Sequence, residues 1–93
     1  MLEKYLENLF SNENYDFKGT KIKFIKEDDK YFVVFLDEKI ESIGRFLNYK
    51  INKKTGDNEP IILPDDNNFE FLDRFENCDF VNIPKKFRGK TVA

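Results

Sequence analysis

Two strands and the turn between them are predicted within KIKFIKEDDKYFVVFL, residues 21–36. Lysines nearly alternate with Ile and Phe over residues 21–26, which is typical of a strand with one face in water. Residues 31–36 are continuously apolar, as expected for a central strand that is covered on both faces. Because only a short charged loop separates the two runs, we expect them to pair as an antiparallel hairpin.

A second hairpin is predicted after an irregular connection. Leu47, Tyr49 and Ile51 alternate with polar residues, so their side chains share one face of a third strand. Gly56 tolerates the positive φ that a tight reversal often needs. We expect the fourth strand to be the short apolar run at residues 61–63.

One helix is predicted on each side of these strands. Apolar residues recur at helical spacing over residues 2–10, and a second stripe consists of Phe69, Leu72 and Phe75 after several Asp and Asn residues. Both stripes need a cover, and one apolar sheet face provides it. The sequence therefore predicts an α+β fold: an antiparallel four-stranded sheet with an N-terminal and a C-terminal helix packed on one face.

The chain has 93 residues, which fits one domain. We predict a single α+β domain over residues 1–83 and a basic, weakly ordered tail over residues 84–93. Residues 1–79 hold all 18 acids and 12 bases, a net charge of −6, whereas residues 80–93 hold four bases and no acid. An acidic body attracts basic proteins and repels nucleic acid.

Composition excludes most enzyme chemistries. The chain has no His, and Cys78 is its only cysteine, which removes the usual general base, a zinc site and an intramolecular disulfide. The pairs Asp28–Asp29 and Asp65–Asp66 lack the ligand spacing of a calcium loop, and we assign them to turns and a helix cap. We expect a protein without catalytic residues, cofactor or metal.

The sequence gives no indication of a membrane segment. No window contains the roughly 20 apolar residues of a membrane span. The first residues, MLEKYLENLF, carry acids where a signal peptide carries bases before an apolar run. We therefore expect a cytoplasmic protein that does not bind membranes.

Four motifs follow one another between residues 31 and 80: an aromatic strand (YFVVFL), a strand running into a Lys-Thr-Gly turn (YKINKKTG), a Pro-led strand (PIIL) and an aromatic helix (NNFEFLDRFEN). This order resembles small bacterial immunity proteins of the YrhB-like kind, over roughly half of the chain. The resemblance implies a non-catalytic protein that binds and neutralises a toxin made by the same or a neighbouring cell.

Six residues are predicted to contact a protein partner, because aromatic side chains anchor interfaces and charges around them set speed and selectivity. Tyr49 is the predicted aromatic contact, and it belongs either to this surface or to the core. The predicted acidic contacts lie on loops, where binding residues concentrate, and are Asp37, Glu38, Glu41, Asp57 and Glu59.

Three functions are compatible with this surface. The first is a cytosolic immunity protein that neutralises a basic toxin. The second is a phage-encoded inhibitor of a host defence or nucleic-acid enzyme. The third is a nucleic-acid accessory protein that uses the basic residues of 85–90, with Phe87 stacking on a base. The acidic body makes nucleic acid the least favoured partner, and the sequence leaves the partner's identity and the oligomeric state open.

Overall fold

The structure is a computed structural model that describes residues 1–13, 15, 17, 19–37, 48–61 and 66–89. These residues form an α+β fold with an antiparallel sheet and two α-helices. No described helix is both long and apolar enough to cross a membrane. The elements are, in chain order, α1 (Leu2–Phe10), β1 (Ile22–Glu27), β2 (Tyr31–Leu36), β3 (Asn48–Asn52), β4 (Asn58–Pro60), α2 (Asp66–Arg74), β5 (Asp79–Val81) and a 3-10 helix, η1 (Lys85–Phe87).

The sheet has the strand order β4-β3-β2-β1-β5, with β2 at its centre. The predicted hairpin of β1 and β2 is present, and Ile25 lies opposite Val34 in its register. The described residues form five strands where the sequence predicted four, because β5 pairs antiparallel with the open edge of β1. A strand of three residues is too short to give a periodic signal in the sequence.

The fourth strand begins earlier than predicted. β4 spans Asn58–Pro60, and Ile61, the first residue of the predicted run at 61–63, follows it. Residues 62 and 63 lie outside the described residues. The turn is tight: the backbone N–H of Asn52 donates to the carbonyl of Asp57 at 2.8 Å, so pairing resumes directly after the reversal. Ile61 extends this contact, since its N–H donates to the carbonyl of Asn48 at 2.8 Å.

Side chains of β2 alternate between two hydrophobic clusters on opposite faces of the sheet. Val34 belongs to the cluster that α1 covers with Leu6 and Leu9. Val33 belongs to the other cluster, against which Phe71 of α2 packs. Because successive side chains of a strand point to opposite faces, the helices cover opposite faces, and the prediction of one shared face is wrong. β2 has apolar side chains on both faces, so each face is buried by a different helix.

The first residues of the predicted tail pack on the domain. Phe87 of η1 is only 7% exposed, and its ring lies 5.6 Å from the ring of Phe10, centroid to centroid. Lys86 forms an ion pair with Glu7 of α1. Residues 90–93 lie outside the described residues, and the boundary after Ile83 stays a prediction.

Candidate functional site

An open groove of about 760 Å³ separates the start of α1 from the β3–β4 turn and β4. Asp57 and Glu59, two of the six predicted contact residues, are among the residues that line it. We call this site the α1 groove; its lining residues are Met1, Lys4, Tyr5, Asn8, Thr55, Gly56, Asp57, Asn58 and Glu59.

The shape of the α1 groove depends on close packing between Tyr5 and Gly56. The hydroxyl of Tyr5 donates to the carbonyl of Lys53 at 3.0 Å. Gly56 has a φ of 80°, and a Cβ added there would lie 2.7 Å from Cε1 of Tyr5. Asn52 holds the same turn from inside, because its side-chain oxygen accepts the backbone N–H groups of Lys54 at 2.8 Å and Thr55 at 3.1 Å. The turn is therefore fixed by its own hydrogen bonds and by the helix.

Two of the residues that line the groove are exposed acids. Asp57 is exposed and forms no ion pair with any residue that the structure describes. Glu59 has a side chain that is 67% exposed, and it lies 3.6 Å from the ammonium of Lys50. The ammonium of Lys50 also lies 4.9 Å from the centroid of the Phe71 ring, so the carboxylate of Glu59 extends toward the face of the sheet that α2 covers. Lys4 is the one cationic side chain among the lining residues.

The other predicted contact residues that the structure describes do not line this groove. Asp37 is exposed, but it follows β2 at the opposite end of the sheet, where its N–H donates to the carbonyl of Lys21 at 3.0 Å. Glu38 and Glu41 lie outside the described residues. The six predicted residues therefore do not form a single surface in the described part of the chain.

Tyr49 is a core residue, and its predicted role as a partner contact is corrected. Its side chain is 2% exposed, and its ring packs against Tyr15 at 5.1 Å and Phe17 at 5.2 Å between centroids. Burial, followed by the neighbouring Tyr15, raises the pKa of Tyr49 to about 12. A partner could not reach this ring without unfolding part of the domain.

A second groove of about 460 Å³ lies between the β1–β2 turn and the end of α2. Asp28 accepts the backbone N–H groups of Lys30 at 2.8 Å and Tyr31 at 2.7 Å, and Arg74 lies 3.2 Å from its other oxygen. Burial raises the pKa of Asp28, but these hydrogen bonds and the charge of Arg74 outweigh it, so its pKa falls below the ordinary value. Asp28 thus holds the turn to the helix, as its predicted turn role requires. Among the described residues, no group of three potential metal ligands occurs.

The basic end of the chain does not present the ring that a nucleic-acid site would need. Phe87, the residue expected to stack on a base, is buried against α1. Lys86 donates to Glu7, and this hydrogen bond raises the pKa of Lys86. The Nε of Arg88 donates to the carbonyl of Ile83 at 2.6 Å. No structural observation on these residues favours a nucleic-acid function.

Comparisons of the chain with protein-family models, curated proteins and solved structures found no match. The function therefore has to be inferred from the chain's own residues. Among the predicted contacts, Asp57 and Glu59 are the two that line the same groove.

Proposed function

We propose that this protein is a non-catalytic binding protein that neutralises a basic protein partner, in the manner of toxin immunity, and that the α1 groove is part of its binding surface. The observation that carries the proposal is the exposure of Asp57 and Glu59, both of which line this groove. The groove is open, so a lysine or arginine side chain of a partner has direct access to the carboxylate of Asp57.

The distribution of charge supports a basic partner. Residues 1–79 carry a net charge of −6, and a field of one sign speeds the encounter with a partner of the other sign. At the groove, Asp57 is exposed without an ion pair to a described residue, whereas Glu59 lies 3.6 Å from the half-buried ammonium group of Lys50. Charge-assisted hydrogen bonds from a guanidinium or ammonium group to Asp57 would therefore replace mainly contacts with water.

The apolar part of the groove supports contact with a protein. Met1 is 82% exposed, and the ring of Tyr5 lies beneath the turn that carries Asp57. Interfaces combine such apolar groups with surrounding charges, and the apolar groups contribute affinity while the charges select the partner.

The test uses the toxic product of a gene adjacent to the one that encodes this chain. We expect co-expression of the chain to restore growth and the two purified proteins to form a complex. The variant Asp57→Lys/Glu59→Lys should bind about tenfold or more weakly, because it places two cations against a basic partner. Glu70→Lys/Asp73→Lys is the matched control, since it makes the same change of net charge at exposed positions on α2.

Three outcomes separate the alternatives. Absence of both protection and complex formation contradicts the proposal. Equal loss of affinity in the two double variants shows that net charge acts without a specific role for the α1 groove. Inhibition of a host defence or nucleic-acid enzyme, with no effect on an adjacent toxin, identifies the protein as an inhibitor of the phage-encoded kind.

A further inference from the structure

Three phenylalanine rings form a row across three neighbouring strands and end at the outer edge of the sheet. Phe35 of β2 stacks on Phe24 of β1 with centroids 4.4 Å apart, and Phe24 meets Phe80 of β5 edge to face at 5.5 Å. Phe80 is 68% exposed. A ring of this size would stabilise the fold if it were buried, and in the exposed position this stabilisation is lost. Exposed apolar residues that belong to a contiguous apolar patch often indicate an interaction surface.

The backbone beside Phe80 is open as well. β1 pairs with one side of β5, and no described strand pairs with the other side. In this register Phe80 lies opposite Lys26, with Asp79 and Val81 on either side. An outer strand can add a further strand from another protein through its free N–H and C=O groups. We call this side of Asp79–Val81 the β5 edge.

The charges at the β5 edge favour a basic partner strand. Glu76 and Asp79 are both exposed, and residues 75–84 contain no basic residue. The ammonium of Lys26 lies 4.8 Å from the centroid of the Phe80 ring, but it donates to the carbonyls of Phe75 at 3.0 Å and Glu76 at 2.9 Å. A second copy of this chain would bring further acids to the same edge, whereas a basic strand complements it.

We propose that the β5 edge binds an extended, basic segment of a partner protein as an added strand. Side chains alternate along a strand, so the segment places an apolar residue beside Phe80 and a lysine or arginine beside Asp79 on the other face. The α1 groove lies beside β4, at the opposite edge of the sheet. The inference therefore does not depend on the function proposed for that groove.

The test uses the full chain and a short capped peptide of alternating lysine and valine. Titration followed by amide NMR should shift the signals of Asp79, Phe80 and Val81, and hydrogen exchange at these amides should slow. Phe80→Ala should weaken binding about tenfold, since an exposed aromatic anchor is lost. Asp79→Lys should also weaken it, whereas Asp73→Lys, the control with the same change of charge, should not.

A peptide with the same composition and a central proline should bind much more weakly, because proline removes a backbone donor. Equal binding of the proline peptide or of a glutamate–valine peptide would overturn the proposal. Equal effects of Asp79→Lys and Asp73→Lys, or signal shifts away from β5, would also overturn it. Sedimentation that shows dimers of the free chain, abolished by Phe80→Ala, would assign the β5 edge to a second copy instead. If Phe80→Ala does not fold, Asp79→Lys still tests whether the β5 edge binds a basic strand, because this variant keeps the ring of Phe80.

Discussion

At Gly56, the side chain of Tyr5 occupies the space that any larger residue would need. We expect Gly56→Ala to lower the free energy of unfolding by about 2 kcal/mol, because a positive φ strains alanine and its Cβ would displace a buried ring. Urea denaturation followed by circular dichroism measures this change. The control is Gly89→Ala: Gly89 has a φ of 64° and no atom within 4 Å of an added Cβ, so its cost should be only about 1 kcal/mol. Equal costs would show that the Tyr5 contact is not tight.

Asp28 should make stability depend on pH in the acid range. Its pKa is lowered in the folded state, so its carboxylate stabilises the fold above the unfolded-state pKa, and this contribution is lost as pH falls through the folded-state pKa. Asp28→Ala should cost about 1 kcal/mol near neutral pH through the lost turn hydrogen bonds. The difference between wild type and variant should shrink as pH falls from the ordinary value of 3.8. Thermal melts across this pH range measure it.

The control for this prediction is Asp29→Ala, because Asp29 is exposed and forms no ion pair with a described residue. Its cost should be small and should not change over the same pH range. If Asp28→Ala shows the same loss of stability at every pH, the ionised carboxyl of Asp28 does not stabilise the turn.

Individual contact residues were only partly predictable from the sequence. The alternation of Leu47, Tyr49 and Ile51 already placed Tyr49 on the same face as two aliphatic residues, and its burial follows from that pattern. The proximity of Asp57 and Glu59 to α1 had no such signal. It depends on packing between residues about 50 positions apart in the chain, such as Tyr5 and Gly56, which no local pattern records.

Among the elements, η1 provides a test of the predicted domain boundary after Ile83, because Phe87 packs against α1. We expect Phe87→Ala to lower the free energy of unfolding by about 3 kcal/mol, because it removes a buried ring from the α1 cluster. Deleting residues 84–93 should cost at least as much. Lys85→Ala, at an exposed position of the same element, should change stability by less than about 0.5 kcal/mol. A truncated chain as stable as the full one would support the predicted boundary after Ile83.

The elements with a long periodic pattern were predicted, whereas the short ones were predicted with less accurate bounds or not at all. α1 and β2 have apolar residues at clear spacing, and both are present. β5 and η1 have three residues each. Phe87 is flanked in the sequence by lysines and an arginine, and these basic neighbours indicated an exposed tail, so its burial was not predicted. The side of the sheet that α2 covers could not be predicted either, because β2 offers an apolar face in both directions.

At the scale of the whole molecule, the described residues form two hydrophobic clusters separated by one sheet, and we expect the clusters to contribute independently to stability. Ile51→Val affects the α1 cluster and Phe75→Leu affects the α2 cluster; each should cost about 1 kcal/mol. Their double variant should be additive within about 0.5 kcal/mol, since they share no packing partner. Ile51→Val with Val34→Ala, both in the α1 cluster, should show a larger coupling energy. Strong coupling between Ile51 and Phe75 would contradict this arrangement.

The hydrogen bond from Tyr5 to Lys53 has a consequence for the speed of recognition. Together with the close contact at Gly56, it joins a helix to the reversal that bears Asp57. The conformational entropy of this loop is therefore lost when the chain folds, before any partner arrives. If the proposed function is correct, association therefore needs no ordering of the backbone that bears Asp57, and its rate should follow diffusion and ionic strength.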